Sequence, residues 1–290
     1  MKPARYTDSY IEENFKKGYW RREGIFQLWE VNARRIPQKN ALIDACLRLT
    51  WQDMVKKANS LANSLIKMGI APDAPLVLLL PNCAETFLVR AACEKAGILC
   101  VHLPPTFRFH ELEKILTQVQ PAATVTPWLW NKLDFVSFLQ ERLSNFPALK
   151  YLIVSGKESP SGTIPLDSLM SPEAASGEIS QENRIHKPWE VSLITSTTGS
   201  TGLPKLVENP ACARLKCGEE FRIGFEIKEN DAVLLSVAGV GGGAIMAYYT
   251  SPLTGCKVVV QERFEPEESL HIIEKERITV LPVVPTQAIR

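Results

Sequence analysis

The sequence predicts an α/β fold in which layered, parallel-rich sheets are flanked by helices. The chain has 290 residues, of which 45% are apolar and 22% are charged, so it can bury the core of one large or two ordinary domains. Residues 76–80 form an unbroken apolar run, which is typical of a strand covered on both faces. Short apolar strands then alternate with helical patterns as far as residue 154, and this order predicts right-handed crossovers and a largely parallel sheet.

Two helices are predicted ahead of this alternating block. Apolar residues at helical spacing start from Ile25, and Pro37 ends the pattern. Residues 41–50 are predicted to form a pair of short strands. Thr50, with Asp53 three residues later, predicts the capped start of the next helix, which runs to residue 68.

The block itself alternates regularly between strand and helix. The predicted strands cover residues 76–80, 98–103, 122–126 and 150–154, and the predicted helices cover residues 82–97, 110–120 and 133–143. Residues 155–187 are rich in Ser, Pro, Gly and Glu and show no period, which indicates an exposed connection or a boundary. We therefore predict a first α/β subdomain with an N-terminal arm over residues 1–186, and a partial second α/β subdomain over residues 187–290.

The second subdomain is predicted to begin with a buried strand and a ligand-binding turn. The predicted strands cover residues 189–194, 232–237, 257–260 and 278–283, and the predicted helices cover residues 210–224, 243–249 and 266–276.

Composition argues against several classes of partner. The formal net charge of +1 gives no general electrostatic attraction to nucleic acid or to a membrane surface. No apolar run approaches the length of a membrane span, and the N-terminus lacks an apolar signal region. The seven cysteines are scattered and mostly lie in apolar surroundings, so we interpret them as reduced core residues of a cytoplasmic protein rather than zinc ligands.

The most informative stretch is residues 191–205, which read V-S-L-I-T-S-T-T-G-S-T-G-L-P-K. An apolar strand leads into a run of hydroxyls and glycines that ends in Pro-Lys. Glycine lets the backbone approach an anion, hydroxyls can bind phosphate or Mg²⁺, and lysine adds a point charge. This pattern favours a phosphate-bearing ligand, although clusters of Ser, Thr and Gly also occur in surface linkers, where the hydroxyls cap turns.

The order of these residues resembles the phosphate-binding signature of the adenylate-forming, or AMP-binding, superfamily. Its usual form is close to Thr-Ser-Gly-Thr-Thr-Gly-x-Pro-Lys-Gly, and residues 198–205 match it position by position, with Leu206 where many members have glycine. Weaker matches occur upstream in the expected order at residues 49–53, 78–82 and 95–97. The resemblance implies the fold of the large N-terminal domain of these enzymes. Residues 18–20 and 204–207 look closest to the aryl-acid AMP ligases, such as those that activate 2,3-dihydroxybenzoate.

The resemblance implies a reaction and its cofactors. Family members activate a carboxylic acid with ATP to an acyl adenylate and then transfer the acyl group to the thiol of coenzyme A or of a carrier protein's phosphopantetheine. The residues implied to hold the ATP phosphates are Thr198, Gly199, Ser200, Thr201, Gly202 and Lys205. Thr201, or Ser200, is implied to help bind Mg²⁺. The glycines of the turn after the next strand are implied to open the acid pocket, although an ordinary turn is the alternative: Gly239, Gly241, Gly242 and Gly243.

Two departures from the family pattern concern the surroundings of the loop. Many members have a Thr-His pair soon after the signature, whereas this chain has Glu208-Asn209-Pro210-Ala211. The turn at residues 237–243 also lacks the histidine, or the asparagine of the aryl-acid ligases, that other members place beside the acid. We interpret all four histidines of the chain as surface or helix residues rather than bases: His102, His110, His186 and His271.

In the family, the adenine and Mg²⁺ motif, the ribose-binding aspartate and the catalytic lysine lie at positions equivalent to residues beyond 290. The resemblance therefore covers an N-terminal portion without the C-terminal domain, and we expect residues 1–290 alone not to complete adenylation. Possible partners are the C-terminal half and a carrier protein. The alternative from another class is a non-catalytic binding or scaffold protein that retains the fold.

Overall fold

The computed structural model describes residues 1–3, 5–156, 158–173, 184–197, 204–239 and 244–289. The strands are β1 (Asn40–Ile43), β2 (Arg48–Thr50), β3 (Pro75–Leu78), β4 (Leu99–His102), β5 (Ala123–Pro127), β6 (Leu129–Trp130), β7 (Leu133–Asp134), β8 (Tyr151–Ser155), β9 (Ile164–Pro165), β10 (Val191–Ser196), β11 (Leu206–Pro210), β12 (Ala232–Leu235) and β13 (Lys257–Val260).

Helices lie before, between and after these strands. They are α1 (Asp8–Lys16), α2 (Ile25–Arg35), α3 (Trp51–Lys67), α4 (Ala84–Ala96), α5 (Phe109–Val119), α6 (Phe135–Glu141), α7 (Leu166–Leu169), α8 (Ala211–Gly224), α9 (Ser251–Thr254), α10 (Pro266–Glu276) and α11 (Pro285–Ile289). A π-helical turn, Met246–Thr250, continues directly into α9.

Two main sheets organise the molecule. The larger has seven strands in the order β11-β10-β4-β3-β5-β8-β9, and every neighbouring pair except β10–β11 is parallel. The smaller has four strands in the order β12-β13-β1-β2, and only β1–β2 is antiparallel within it. The predicted class, parallel-rich sheets flanked by helices, is confirmed.

The larger sheet is covered on both faces, as the apolar run in residues 76–80 predicts. Leu76, Leu78 and Leu80 belong to the largest hydrophobic cluster, which includes residues of α3 and α4. Val77 and Leu79 belong to a second cluster with residues of α5 and α6. Because successive strand residues point to opposite faces, the two clusters lie on opposite sides of the sheet.

Local capping fixes two of the helices that frame the sheets. The Asp53 N–H donates to Thr50 Oγ1 at 3.2 Å, and the Thr50 N–H donates to Asp53 Oδ2 at 3.0 Å, which forms the predicted capping box of α3. At the end of α4, Gly97 has a φ of 66°, and a Cβ there would lie 2.1 Å from the carbonyl oxygen of Arg184. Only glycine fits this position.

Several elements of the structure differ from the sequence prediction. Strand β11 was not predicted. Residues 155–187 contain β9 and α7 rather than no regular structure. The helix expected over residues 243–249 is π-helical from Met246 onward. The strand expected over residues 278–283 is reduced to an isolated parallel bridge between Val280 and Val233.

Both sheets contain strands from each side of residue 186. β10 and β11 lie beside β4 in the larger sheet, and β12 and β13 lie beside β1 in the smaller one. The sheets therefore do not divide at this position, and the two-subdomain division of the chain stays a prediction.

Candidate functional site

A cavity of about 440 Å³ lies where the carboxyl ends of strands from both sheets meet. We call it the cleft cavity. Residues that follow β3, β4 and β5 line one side, and residues that follow β12 and β13 line the other: Leu80, Pro81, Asn82, His102, Pro104, Pro105, Thr106, Trp130, Asn131, Ser236, Ala238, Gly239, Glu262, Arg263 and Phe264. Open α/β sheets bind ligands in the crevice beyond the carboxyl ends of their strands, so this is the place where a ligand is expected.

The predicted phosphate loop falls in the chain between β10 and β11, which form an antiparallel pair. Its neck is closed by two hydrogen bonds, because the Thr197 N–H donates to the Lys205 carbonyl at 2.9 Å and the Lys205 N–H donates to Thr197 Oγ1 at 3.0 Å. The Lys205 side chain is exposed and makes no ion pair with any residue in the described ranges. Thr198, Gly199, Ser200, Thr201 and Gly202 lie outside the described residues.

The hairpin leaves the sheet at the rim of the cleft cavity. In the parallel pairing of β10 with β4, Thr195 lies opposite His102, which lines the cavity. Since parallel strands advance together, Thr197 falls level with Pro104, another lining residue. Lys205 is bonded to Thr197, so the neck lies at this edge of the sheet, where it can present a cation to a ligand in the cleft.

Asn209 holds the hairpin from its second strand. Its Nδ2 donates to Thr195 Oγ1 at 3.1 Å and to the Val207 carbonyl at 2.7 Å. Its Oδ1 accepts hydrogen bonds from the guanidinium of Arg214 on α8. Asn209 is buried, so these contacts fix both strands and the following helix in one arrangement. Asn209 lies in residues 208–211, which stand out in the sequence only because they differ from the usual Thr-His pair of the family.

The glycine turn lies on the opposite side of the cleft cavity. Gly239 lines the cavity, and a Cβ there would meet Asn82 Oδ1 at 2.7 Å and Tyr248 Oη at 3.2 Å. Glycine is therefore required for the close approach of the turn to Asn82. Gly241, Gly242 and Gly243 lie outside the described residues.

His102 corrects the interpretation of the histidines. It ends strand β4, lines the cleft cavity and is only 2% exposed. Burial, followed by the positive charge of Arg90, holds the pKa of His102 well below its ordinary value, so the ring is neutral at pH 7. His186 is also buried, with Nε2 3.0 Å from Asp73 Oδ1. His110 and His271 lie exposed on α5 and α10, as expected.

Two buried polar atoms of cavity-lining residues lack hydrogen-bond partners among the described residues. They are His102 Nδ1 and Ser236 Oγ, on opposite sides of the cleft. An unsatisfied buried polar atom destabilises a protein by roughly 1–3 kcal/mol, so such atoms are uncommon away from ligand sites. Neither atom could be identified from the sequence, because the burial of both depends on what packs around the strand ends.

A small hairpin that the sequence did not predict contributes to the lining of the cavity. Strands β6 and β7 are joined at Asn131 and Lys132, which have φ values of 50° and 66°, typical of a two-residue hairpin turn. Trp130 Nε1 donates to Glu262 Oε1 at 3.1 Å, and the guanidinium carbon of Arg263 lies 4.9 Å from the Trp130 ring centroid. These contacts connect the two sides of the cleft.

The described residues contain no group of three or more His, Cys, Asp or Glu side chains placed to hold a metal ion. All seven cysteines are free, and Cys93, Cys100, Cys212 and Cys256 are buried. A metal at the cleft would therefore depend on hydroxyl and phosphate oxygens, which are ligands that suit Mg²⁺.

Comparison with known proteins decides the family. The sequence profile described as "AMP-binding enzyme" matches residues 29–290. The chain belongs to the AMP-binding enzyme family. The predicted resemblance is thereby confirmed.

Characterised members of this AMP-binding family resemble the chain over nearly its whole length. It is 28% identical to the 2-hydroxy-7-methoxy-5-methyl-1-naphthoate–CoA ligase of Streptomyces carzinostaticus, over 99% of this chain and 51% of that protein. It is 24% identical to the 2,3-dihydroxybenzoate-AMP ligase of Bacillus subtilis (strain 168), over 98% of this chain and 51% of that protein. The chain thus spans about half the length of the curated relatives it matches.

A solved structure with the same fold also matches nearly the whole of this chain. The apo structure of Mycobacterium smegmatis MbtA superposes with a TM-score of 0.86 and 20% identity, covering 98% of this chain and 52% of that one. Over the part of the chain that the structure describes, no helix combines the length and apolar character needed to cross a bilayer.

Proposed function

We propose that this AMP-binding chain provides the phosphate and acid sites of a ligase that activates an aryl or acyl carboxylic acid with ATP. In the first step a carboxylate oxygen attacks the α-phosphorus and pyrophosphate leaves, which gives an acyl adenylate. In the second step a thiol attacks the acyl carbon and AMP leaves. The thiol belongs to coenzyme A or to the phosphopantetheine of a carrier protein. Family membership and the ligase names of the relatives support this reaction class.

The observation that carries the proposal is the position of Lys205 at the neck of the β10–β11 hairpin. Its side chain is exposed, free of ion pairs within the described residues, and anchored at the rim of the cleft cavity through Thr197. A fixed cation with no internal partner is available to phosphate oxygens. Lys205 would therefore hold the β- and γ-phosphates together with Thr198, Gly199, Ser200, Thr201 and Gly202.

The residue types proposed for the phosphate loop also suit Mg²⁺. The hydroxyls of Thr201 and Ser200 are hard oxygen ligands, and ATP phosphates complete such sites in other proteins. When bound, Mg²⁺ would neutralise charge on the phosphates. The contribution of the protein is positioning, because phosphoryl chemistry depends mainly on orientation and charge stabilisation.

The acid is placed at the glycine turn that contains Gly239, Gly241, Gly242 and Gly243. Gly239 lies on the opposite side of the cleft cavity from the hairpin neck. An aryl acid is favoured because both named relatives act on aromatic acids. The reaction is placed in the cytoplasm, with a carrier protein and the remaining part of the ligase as possible partners.

A non-catalytic scaffold is the second candidate. The hairpin lacks the usual Thr-His pair, and Asn209 in that segment bonds within the protein instead of facing the cleft. Residues 1–290 alone are expected not to complete adenylation. Robust release of pyrophosphate that depends on both ATP and acid would contradict that expectation.

Calorimetric titration with ATP and Mg²⁺ separates the two candidates. The ligase proposal predicts ATP binding that weakens about tenfold or more in Lys205→Ala, since a lost charge-assisted contact corresponds to about 1.5–3 kcal/mol. Lys228→Ala, just before the amino end of β12, is the matched control and should bind ATP as the unchanged protein does. Absence of ATP binding, or binding that Lys205→Ala does not alter, would favour the scaffold.

A further inference from the structure

A second, smaller cavity lies between α4, β10 and the π-helical turn. Its volume is about 30 Å³, enough for one or two water molecules. We call it the inner cavity. Its lining includes Phe87, Arg90 and Glu94 of α4, Leu193 of β10, and Tyr248 and Tyr249 of the π-helical turn.

Tyr248 lines the inner cavity, and two side chains of α4 hold its ring. Its ring stacks on Phe87 with centroids 4.0 Å apart and an interplanar angle of 20°. The guanidinium carbon of Arg90 lies 3.8 Å from the same ring centroid. The ring is therefore held in place by two side chains from successive turns of α4, and it closes the inner cavity on this side.

The hydroxyl of Tyr248 lies close to Gly239. Tyr248 Oη lies 3.2 Å from the position of a Cβ at Gly239, and Gly239 lines the cleft cavity. This oxygen is buried and has no hydrogen-bond partner among the described residues. Tyr248 thus extends from the inner cavity to Gly239, a residue that lines the cleft cavity.

We propose that Tyr248 sets the depth of the acid pocket and restricts it to acids that extend no further than one ring toward α4. This inference rests on the proposed function, which places the acid at the Gly239 turn. The inner cavity behind the ring is too small for another ring. Removal of the tyrosyl ring joins the two spaces, and a void of about 150 Å³ is sufficient to hold benzene.

The test compares two acids in three proteins. Ligand-observed NMR titration gives the dissociation constants of benzoate and biphenyl-4-carboxylate for the unchanged protein, Tyr248→Ala and Tyr248→Phe. Tyr248→Ala should raise the preference for the two-ring acid over benzoate by about tenfold or more, the usual scale for adding or removing apolar pocket volume. Tyr248→Phe keeps the ring and should leave this ratio unchanged.

Other outcomes would overturn the inference. An unchanged ratio in a Tyr248→Ala protein that still binds benzoate would show that Tyr248 does not limit the pocket. An equal change in Tyr248→Phe would show that the hydroxyl, not the ring, controls the choice. If Tyr248→Ala does not fold, Tyr248→Leu, which retains an apolar contact with Phe87, replaces it. If neither acid binds the unchanged protein, the proposed acid site at Gly239 is wrong, and the inference about Tyr248 is wrong with it. The proposed binding of ATP by Lys205 is not affected by that result, because it is tested separately.

Discussion

Asn82 Nδ2 donates a hydrogen bond to the carbonyl oxygen of Val237 at 2.7 Å, and this contact joins the two sheets at the cleft. Asn82 follows β3 of the seven-stranded sheet, whereas Val237 follows β12 of the four-stranded sheet. A longer contact of 3.4 Å reaches the carbonyl of Gln261, just after β13. One side chain therefore positions the carboxyl ends of three strands, and with them the walls of the cleft cavity.

Replacing Asn82 by alanine should destabilise the protein. The Val237 residue is buried, so its carbonyl would lose its partner in an environment with little access to water. Such a loss typically lowers the free energy of unfolding by about 1–3 kcal/mol. Urea denaturation measures it. Asn145→Ala, which removes a surface hydrogen bond to Glu113, is the control and should change stability by less than about 0.5 kcal/mol. If both variants lower the free energy of unfolding equally, Asn82 does not have a special role in joining the two sheets.

Gly239→Ala should disturb the hydrogen bond between Asn82 and Val237, because Gly239 packs against the Asn82 side chain. The added Cβ would lie 2.7 Å from Asn82 Oδ1, so either the amide or the turn must shift. Overpacking of this kind typically destabilises a protein by about 1–3 kcal/mol. Gly224→Ala offers a matched control, because a Cβ at that helical position has nothing within 4 Å. Thermal unfolding should show a lower melting temperature for Gly239→Ala only, and similar melting curves for both variants would contradict this account.

Asn209→Ala should loosen the hairpin while leaving Lys205 unchanged. The substitution removes the hydrogen bond to Thr195 and leaves the guanidinium of Arg214 without its acceptor. Since a positioning hydrogen bond contributes about 0.5–1.5 kcal/mol, ATP affinity should fall by roughly threefold to tenfold. Titration calorimetry checks the value. Val207→Ala, at a neighbouring exposed position, should not change the affinity, and an Asn209→Ala protein with full affinity would exclude this positioning role.

Glu94 should make stability depend on pH around neutrality. Burial raises the pKa of its carboxyl from 4.5 to about 7, although the Phe26 N–H donates to Oε1 at 2.9 Å. The folded state therefore holds a proton that the unfolded chain releases, so the contribution of this group is complete below pH 4.5 and is lost as pH rises through 7. The full difference corresponds to about 3 kcal/mol.

Glu94→Gln should remove this dependence, because the amide does not titrate. Denaturant unfolding of both proteins between pH 4.5 and 8.5 should show that the unchanged protein loses stability relative to the variant as pH rises. Glu12→Gln, at an exposed position on α1, should retain the slope of the unchanged protein. Parallel stability curves for the unchanged protein and Glu94→Gln would contradict the assignment.

Elements specified by nearby residues were predictable from the sequence. The capping box joins Thr50 and Asp53, which are three positions apart, and the strand over residues 76–80 is defined by its own apolar run. Strand β11 was missed because it is defined by its pairing with β10 rather than by an apolar run of its own. The phosphate loop itself was predicted from its pattern, and its residues 198–202 remain a proposal.

Contacts between distant parts of the chain were not predictable. Trp130 donates a hydrogen bond to Glu262, which lies 132 residues later in the sequence, and no local pattern indicates this pair. His102 was misread because its burial depends on the neighbouring strands β3 and β10 rather than on adjacent residues. Asn82 was predicted to start a helix, whereas its connection to Val237 appears only when both sheets are present.

The central claim is that the hairpin tip between Thr197 and Lys205 binds the pyrophosphate portion of ATP. Calorimetric titration with inorganic pyrophosphate and Mg²⁺ tests it most directly, because this probe has no adenosine that could bind elsewhere. We expect pyrophosphate to bind the unchanged protein and Lys228→Ala, and to bind Lys205→Ala with at least tenfold lower affinity. No binding to the unchanged protein, or equal affinity in Lys205→Ala, would contradict it.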